Sequence, residues 1–277
     1  MNRYAFLLAG GKGTRLKNLI SEPKPFLKIN EEPYIFILIK WCYLNKIKNI
    51  NLIINKENKE LLHNLLIKYD LESKYKDLKI SILIEDTRMG TGGYLANNID
   101  KFPESFFIIN SDTIYTECIS HHINYIEREK SYSFLFGLKN KSRIDAGNIE
   151  IDDRKFIKIF REKNGKSNII SSGIYFLKKI DIKKSLEGLK LSSYMSLEED
   201  IVKSLVKKKL LKCLPNSFNT IHDFGTPERL KNTDIFLKSN KYKWLLIDRD
   251  NTINKDNGYT YKLNDLELIE KILPLLQ

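Results

Sequence analysis

The first part of the chain alternates short apolar runs, rich in β-branched and aromatic residues, with segments of helical periodicity. The apolar runs predict strands, and the periodic segments predict helices. The strands are Tyr4–Ala9, Ile50–Ile54, Ile80–Ile84 and Phe106–Asn110, and the helices are Tyr34–Leu44 and Glu60–Ile67. This alternation is typical of a parallel sheet with helices on both faces.

The pattern changes in the middle of the chain, where apolar runs follow one another with only short turns between them. These runs predict the strands Tyr132–Leu138, Asn148–Ile151, Phe156–Phe160 and Ile169–Leu177. An antiparallel addition to the parallel sheet accounts for them most simply. We therefore predict an α/β fold with a mixed, mostly parallel, Rossmann-like sheet sandwiched by helices. The elements predicted next are a helix at Leu197–Val206, strands at Leu210–Leu214 and Phe218–Ile221, and a helix from Pro227.

A hydrophilic stretch, Lys238–Lys243, interrupts the pattern and marks a boundary. We predict a first domain over residues 1–238, a linker over 239–243 and a short segment over 244–277. That segment contains an apolar run at Trp244–Ile247, which predicts a strand, and a periodic run at Leu266–Leu276, which predicts a helix.

Composition narrows the class of protein. Hydrophobic residues form 42% of the 277 residues, which is typical of a globular chain, and the formal net charge is +12. The lysines are interleaved along the chain and their longest run is Lys207–Lys209, so we expect a solvated basic surface and no nucleic-acid partner. With no long apolar span and no leader peptide, we expect a cytoplasmic protein without a membrane partner. The three scattered cysteines predict free thiols.

A glycine-rich turn, Leu8–Leu16, follows the first predicted strand. Ligands bind at this edge of open α/β sheets. Glycines allow backbone N–H groups to approach phosphate oxygens, and Lys12 and Arg15 supply positive charge for a triphosphate. The spacing matches neither a Walker loop nor the dinucleotide-binding GxGxxG pattern.

The order of further motifs resembles the sugar-nucleotide pyrophosphorylase (nucleotidyl transferase) family over about residues 3–235. The matching motifs are Gly10-Gly11-Lys12-Gly13-Thr14-Arg15-Leu16, Pro23-Lys24-Pro25, Gly90-Thr91-Gly92-Gly93, Asn110-Ser111-Asp112, Glu162-Lys163, Ser172-Gly173-Ile174-Tyr175, Leu197-Glu198-Glu199-Asp200 and Asp223-Phe224-Gly225-Thr226-Pro227. The resemblance implies a glycosyltransferase A-like fold and a magnesium-dependent sugar-1-phosphate nucleotidyltransferase.

The resemblance also implies roles for individual residues. Arg15, Lys24, Asp112 and Lys163 would be catalytic, and Asp112 and Asp223 would hold Mg²⁺ through hard oxygen ligands. The nucleotide would be bound by Ala9, Gly10, Gly11, Gly13, Thr14, Gly92 and Gly93. The sugar phosphate would be bound by Gly147, Glu162, Lys163, Gly173 and Glu198.

Two positions depart from the family pattern. Ser111 replaces the usual Gly before the metal-binding Asp, and Ser171-Ser172 replaces Asn-Ala before Gly173. Both departures bear on the contacts to the sugar. The expected reaction is in-line attack by a sugar phosphate oxygen on the α-phosphorus, with Mg²⁺, Arg15 and Lys24 neutralising the pyrophosphate that leaves.

The segment from Trp244 resembles the start of a haloacid-dehalogenase-like phosphatase of the heptose-bisphosphate and histidinol-phosphate type. Asp248 would be its nucleophile and Asp250 its acid/base partner, whereas Asn251 departs from the usual Gly. By association, a phosphatase that makes heptose 1-phosphate favours D-glycero-D-manno-heptose 1-phosphate as the acceptor and GTP as the donor.

Two alternatives stay open. One is a hexose-1-phosphate nucleotidyltransferase that uses UTP, dTTP or GTP, and the other is a non-catalytic regulator that binds nucleotide sugars. The presence of both metal carboxylates, Asp112 and Asp223, disfavours the regulator. The partners expected are a nucleoside triphosphate and a sugar 1-phosphate, and assembly into a homo-oligomer stays open.

We predict that the 277-residue chain has no phosphatase activity, although it carries Asp248 and Asp250. An aspartyl-phosphate mechanism also needs a lysine and further acidic residues on later elements, for which residues 244–277 leave no room. Phosphate release from heptose 1,7-bisphosphate in Mg²⁺ measures this. Hydrolysis that Asp248→Asn abolishes would contradict the prediction.

Overall fold

A computed structural model describes residues 2–11, 22–29, 31–140, 147–161, 167–189, 194–218, 220–239, 251–255 and 266–269. The chain divides into two compact units, Met1–Thr233 and Asp234–Gln277.

The strands of the described residues are β1 (Tyr4–Leu8), β2 (Lys28–Ile29), β3 (Glu32–Pro33), β4 (Asn49–Asn55), β5 (Lys79–Glu85), β6 (Ser105–Asn110), β7 (Thr113–Tyr115), β8 (Ser133–Lys139), β9 (Asn148–Ile151), β10 (Ile157–Arg161), β11 (Ile169–Lys178), β12 (Leu211–Phe218), β13 (Ile221–Asp223), β14 (Asn254–Lys255) and β15 (Glu267–Leu268). The helices are α1 (Tyr34–Leu44), α2 (Lys59–Tyr69), α3 (Leu71–Lys74), α4 (Gly90–Asn98), α5 (Ser120–Glu129), α6 (Lys179–Leu186), α7 (Lys203–Lys207) and α8 (Pro227–Ser239). Short 3₁₀ turns occur at Lys24–Phe26, Lys56–Asn58 and Ile99–Lys101, and a π-helical turn, Leu197–Val202, precedes α7.

One mixed sheet forms the centre of the first unit. Among the described residues it has nine strands, in the order β10-β9-β11-β6-β1-β4-β5, with β8 joined to β11 and β12 joined to β8. The strands β6, β1, β4 and β5 are parallel, and β11 is antiparallel to β6, β8 and β9. The predicted fold class is confirmed.

The central strands are buried on both faces, which explains why they read as continuous apolar runs. In β6, Phe106 to Ile109 are all buried, and Ala5 and Leu7 of β1 are fully buried. Phe6 and Phe106 pack with Phe102 in one aromatic cluster, at ring-centroid distances of 4.1 to 5.4 Å. Dispersion and burial in this cluster fix the position of β1 against β6.

The strand order reverses at β1. From β1 the chain adds β4 and then β5 on one side, and it then returns to place β6 on the other side. A crevice opens at such a point because the connections leave the carboxyl ends of the two neighbouring strands in opposite directions. The residues at these ends are Leu8, Asn55, Glu85 and Asn110.

Two predicted elements are wrong. The predicted strand Phe218–Ile221 is divided, since Phe218 ends β12 and Ile221 begins β13. The preceding strand, predicted to end at Leu214, continues through Pro215 to Phe218, with an irregular pairing to β8 that resumes at Phe218. In β12, Asn216 has a positive φ of 58°.

The predicted helix Leu266–Leu276 is also wrong where it is described. Glu267 and Leu268 form β15, which pairs antiparallel with β14, and the Ile269 amide donates to the Ile253 carbonyl at 2.7 Å. Pairing with a distant strand therefore overrides the local helical periodicity. Residues 270–276, the predicted strand Trp244–Ile247 and the phosphatase-like Asp248 and Asp250 lie outside the described residues.

No helix within the described ranges is both long and apolar enough to cross a bilayer.

Candidate active site

A cavity of about 390 Å³ lies at the carboxyl ends of the central parallel strands. Its lining comes from β1, β4, β5 and β6 and from the segments that follow them, with contributions from the turn at Lys24 and from the residues before α7. The lining residues are Leu8, Gly10, Gly11, Lys24, Pro25, Ile53, Asn55, Glu85, Arg88, Gly90, Thr91, Asn110, Ser111, Asp112, Tyr194 and Glu198. The crevice predicted by the strand order is therefore a real cavity.

Gly10 lies where three strand ends meet. A Cβ atom on Gly10 would lie 2.8 Å from Glu85 Oε2 and 3.0 Å from Asn55 Oδ1, so a larger residue would displace these two side chains. The Asn55 side-chain amide donates to the Gly10 carbonyl. A Cβ on Gly11 would meet nothing within 4 Å, so this position is open toward the cavity.

The rest of the predicted nucleotide loop is only partly described. The buried Ala9 continues the sheet, with its amide donating to the Ile53 carbonyl at 2.9 Å. Gly13, Thr14 and Arg15 lie outside the described residues. The roles expected for them stay predictions.

Glu85 is a cavity residue that the sequence analysis did not identify. It is the last residue of β5, paired in register with Asn55 of β4. Burial raises the pKa of the Glu85 carboxyl from 4.5 to about 7. Within the described part of the chain its carboxylate has no hydrogen-bond or ion-pair partner, so nothing there offsets the loss of solvation.

At the β6 end, Lys24 and Asp112 form an ion pair. Lys24 Nζ lies 3.5 Å from Asp112 Oδ2, and the Lys24 side chain is 15% exposed. The turn that carries Lys24 is anchored by Phe26, which is buried. The predicted Pro-Lys-Pro motif thus delivers an ammonium group to the cavity next to the predicted metal carboxylate.

Asp223 is brought beside Asp112 by a small antiparallel pair, β7 with β13. In this pair Asp223 is opposite Thr113, and the Phe224 amide donates to the Asp112 carbonyl at 3.2 Å. Phe224 is fully buried and packs edge-to-face on Tyr34, with ring centroids 4.9 Å apart. This pairing brings the backbones of Asp112 and Asp223 together, although the two residues lie more than a hundred positions apart in sequence. Their joint role as metal ligands stays a prediction.

The Asp223 carboxylate already has donors from the protein. Asp223 Oδ1 accepts from the Gly225 amide at 3.0 Å and lies 3.3 Å from Arg229 Nη1. The side chain is 11% exposed.

Asp112 and Asp223 have the chemistry of a magnesium site. Carboxylate oxygens are the protein ligands that Mg²⁺ prefers, and Mg²⁺ commonly binds one or two carboxylates while substrate phosphates and water complete its octahedron. Among the described residues no group of three or more His, Cys, Asp or Glu side chains could hold a metal. A Mg²⁺ site with two protein carboxylates, completed by substrate phosphates and water, fits both observations.

The glycines of the Gly90–Gly93 motif form the first turn of α4 and pack on the chain before α7. A Cβ on Gly92 would lie 2.8 Å from the Leu197 amide nitrogen, and one on Gly90 would lie 2.3 Å from the Met195 carbonyl oxygen. Gly90 also has a positive φ of 76°. A Cβ on Gly93 would lie 2.6 Å from Met89 Cβ. Packing therefore requires these glycines, and the contact of Gly92 and Gly93 with the base stays a prediction.

Glu198 lines the cavity and is tied to α4. Thr91 Oγ1 donates to Glu198 Oε2 at 3.3 Å and accepts from the Leu197 amide at 2.9 Å. The nearby Tyr194 also lines the cavity, with 66% of its surface exposed.

Gly173, on β11, makes room for Asn110. It has a positive φ of 80°, and a Cβ there would lie 2.8 Å from Asn110 Nδ2. Asn110 thus reaches the cavity as a second polar residue that the sequence analysis did not assign. Gly147 has Phe160 and Ser171 at 3.0 and 3.2 Å from the position of its Cβ. The predicted Glu162 and Lys163 lie outside the described residues.

The serines that depart from the family pattern bond within the protein. The Ser111 hydroxyl donates to the Leu8 carbonyl and ties the end of β6 to β1. Ser172 is buried and its Oγ accepts from the Ile174 amide at 3.3 Å. Both hydroxyls therefore hold the rim of the cavity in place.

Comparison with known proteins identifies the family of the chain. The sequence profile of the Nucleotidyl transferase family matches residues 4–240. A D-glycero-alpha-D-manno-heptose 1-phosphate guanylyltransferase from Campylobacter jejuni is 27% identical over 227 residues, which cover 81% of this chain and 95% of that protein. The bifunctional protein GlmU from Methanocaldococcus jannaschii is 30% identical over 255 residues, which cover 90% of this chain and 55% of that protein.

A similar fold has been solved experimentally. The structure of HddC from Yersinia pseudotuberculosis complexed with GMP-PN has a TM-score of 0.67 and 24% identity, and it covers 85% of this chain and 99% of that one. At this identity the likeness concerns the fold.

The raised pKa of Glu85 gives a prediction for stability. Between pH 4.5 and about 7 the unfolded chain has lost the Glu85 proton and the folded chain retains it, so this residue lowers stability as pH rises through that window. We expect Glu85→Gln to raise the melting temperature at pH 8 and to lose most of that gain toward pH 5. Differential scanning calorimetry at both pH values measures it. An equal effect at the two pH values would contradict the burial of Glu85.

Proposed function

Because the chain belongs to the nucleotidyl transferase family, and is a sugar-1-phosphate nucleotidyltransferase, we propose that its donor is GTP and its acceptor D-glycero-D-manno-heptose 1-phosphate. The products would be a GDP-sugar, for surface-polysaccharide biosynthesis, and pyrophosphate. The observation that carries the donor is the carboxylate of Glu85 in the cavity.

An ionised carboxylate only accepts hydrogen bonds, so it favours a base that presents N–H donors. Guanine presents two neighbouring donors on one edge, N1–H and N2–H₂. Uracil and thymine present a single N–H between two carbonyl oxygens, which a carboxylate repels. Adenine and cytosine present an amino group beside a ring nitrogen acceptor. A carboxylate that reads the base therefore selects guanine.

The energetics of Glu85 favour the same role. Burial disfavours its charged form, and the described residues provide no donor to offset the cost. Two charge-assisted hydrogen bonds from a guanine edge would supply that compensation. Arg88, three residues later and also in the cavity lining, matches the O6 and N7 acceptors of guanine, which arginine typically binds.

The names of the relatives support a guanine nucleotide as the donor, but they do not agree on a sugar. The Campylobacter relative is named as a heptose 1-phosphate guanylyltransferase, and the solved Yersinia protein was complexed with GMP-PN. The Methanocaldococcus relative, of which this chain matches 55%, is named bifunctional protein GlmU, and its name specifies no sugar. A hexose-1-phosphate nucleotidyltransferase using UTP, dTTP or GTP is the second candidate. The resemblance of the C-terminal segment to heptose-bisphosphate phosphatases favours heptose, and a cytoplasmic location stays a prediction.

The described residues can serve an in-line transfer. An oxygen of the sugar phosphate would attack the α-phosphorus, and pyrophosphate would leave, with no protein nucleophile required. Lys24 would donate a hydrogen bond to an α-phosphate oxygen. To do so, its ammonium group would leave Asp112, its partner in the structure. Asp112 and Asp223 would hold Mg²⁺, which when bound neutralises charge on the phosphates. Glu198 would accept hydrogen bonds from sugar hydroxyls. Asn110, the last residue of β6, would form a hydrogen bond with the sugar 1-phosphate.

The choice of donor is tested by pyrophosphate release with GTP, UTP, dTTP and ATP in combination with heptose, glucose and mannose 1-phosphates. We expect the highest kcat/KM for GTP with the heptose. Glu85→Gln replaces one acceptor by a donor, so its preference for GTP over UTP should fall by about 5- to 150-fold, equivalent to about 1–3 kcal/mol. Glu57→Gln, at an exposed position after β4, is the matched control. An unchanged preference in Glu85→Gln would refute base reading by this residue.

The two carboxylates give a separate prediction. Asp112→Ala or Asp223→Ala should lower kcat by about 10²–10³ or more, because each removes preorganised stabilisation of charge in the transition state. Steady-state kinetics in Mg²⁺ measure the effect, and circular dichroism checks the fold. Near-normal turnover by either folded variant would disprove the metal assignment.

A further inference from the structure

Arg229 occupies a position that helix stability does not explain. It is the third residue of α8, directly after Pro227 and Glu228. The first turn of a helix carries partial positive charge from unsatisfied N–H groups, so an acidic residue is favoured there and a cation is disfavoured. Glu228 follows this rule and Arg229 breaks it. The compensating contact is Asp223, whose Oδ1 lies 3.3 Å from Arg229 Nη1.

The segment from Asp223 to Arg229 is built around that contact. The Thr226 hydroxyl accepts from the Arg229 amide at 3.4 Å, which fixes the start of the helix. The Gly225 amide donates to the same Asp223 Oδ1 at 3.0 Å. A Cβ on Gly225 would lie 3.1 Å from that oxygen, so the absence of a side chain there gives the Asp223 carboxylate room.

The backbone of Asp223 is also held by a hydrogen bond. Its carbonyl accepts from the Thr233 hydroxyl at 3.0 Å, and Thr233 is buried. Its neighbour Phe224 bonds to the Asp112 carbonyl. About the first two turns of helix α8 are thus connected to Asp223, through both its main chain and its side chain.

Metal-binding carboxylates are commonly oriented by hydrogen bonds from groups that do not touch the metal. We propose that Arg229 is the positioning residue for Asp223: with the Gly225 amide it fixes Oδ1 and so sets the direction of the carboxylate toward Mg²⁺. This inference rests on the proposed function, since it takes Asp223 to be a metal ligand. A planar, permanently charged guanidinium suits this task better than a flexible ammonium group.

The opposite role would have a distinct signature. If Arg229 competed with the metal for Asp223, its removal would tighten metal binding. The two donors converge on the same oxygen, Oδ1, which is the arrangement of an orienting pair. We therefore expect removal of Arg229 to weaken metal binding.

The test measures Mn²⁺ binding by electron paramagnetic resonance, with and without GTP, in the full chain. Arg229→Gln should weaken the Kd for Mn²⁺ in the presence of GTP by about 10- to 100-fold. Arg229→Lys should recover part of that loss. Lys231→Ala, an exposed cation on the same helix, is the matched control and should bind as the wild type does. In steady-state kinetics the KM for Mg²⁺ should rise in Arg229→Gln, with a smaller change in kcat at saturating Mg²⁺.

The outcomes separate this inference from the proposed function. Wild-type affinity for Mn²⁺, or a tighter one, in folded Arg229→Gln would overturn the positioning role while leaving the metal site intact. Wild-type affinity in Asp223→Ala, or no Mn²⁺ binding by the wild-type chain, would overturn the metal assignment and the positioning role together. A lower melting temperature of Arg229→Gln with an unchanged Kd would show a structural role alone, and would also overturn the inference.

Discussion

The parallel pairing of β1 on both of its sides determines where this protein can do chemistry. With β4 on one side and β6 on the other, the connections diverge at the end of β1 and leave a crevice there. The aromatic contacts of Phe6 with Phe102 and Phe106 hold β1 and β6 in that arrangement. Among the residues that the proposed transfer uses, Lys24, Glu85, Asn110, Asp112 and Glu198 line the cavity that results.

Two opposed charge pairs lie at this crevice among the described residues. Asp112 is paired with Lys24, and Asp223 is paired with Arg229. Glu85, at the end of β5, has no such partner among the described residues, and burial raises the pKa of its carboxyl. A half-buried carboxylate with no donor among the described residues lowers the stability of the free protein, and a ligand that supplies N–H donors would offset that cost.

Much of the fold and part of the site could be predicted from the sequence. Central strands such as β4 and β6 are buried on both faces and therefore read as unbroken apolar runs. The helix α4 was missed because three of its first four residues are glycines, which disfavour a helix in isolation. Tertiary contacts with Met195 and Leu197 stabilise the helix in the folded protein. Glu85 and Asn110 were missed because a polar residue after a strand looks the same whether it faces solvent or a cavity. Only the strand order decides between the two.

The glycines of the motifs have two separate physical causes, which the sequence does not distinguish. A Cβ on Gly10 or Gly173 would displace a side chain of the cavity, Glu85 or Asn110, and Gly173 also has a positive φ. Gly92 is a glycine because the backbone at Leu197 packs against it, well within the protein. The first kind positions polar groups for a ligand, and the second joins α4 to the chain that carries Glu198. Substitution at the first kind displaces a functional side chain, whereas substitution at the second displaces a whole element and moves Glu198 with it.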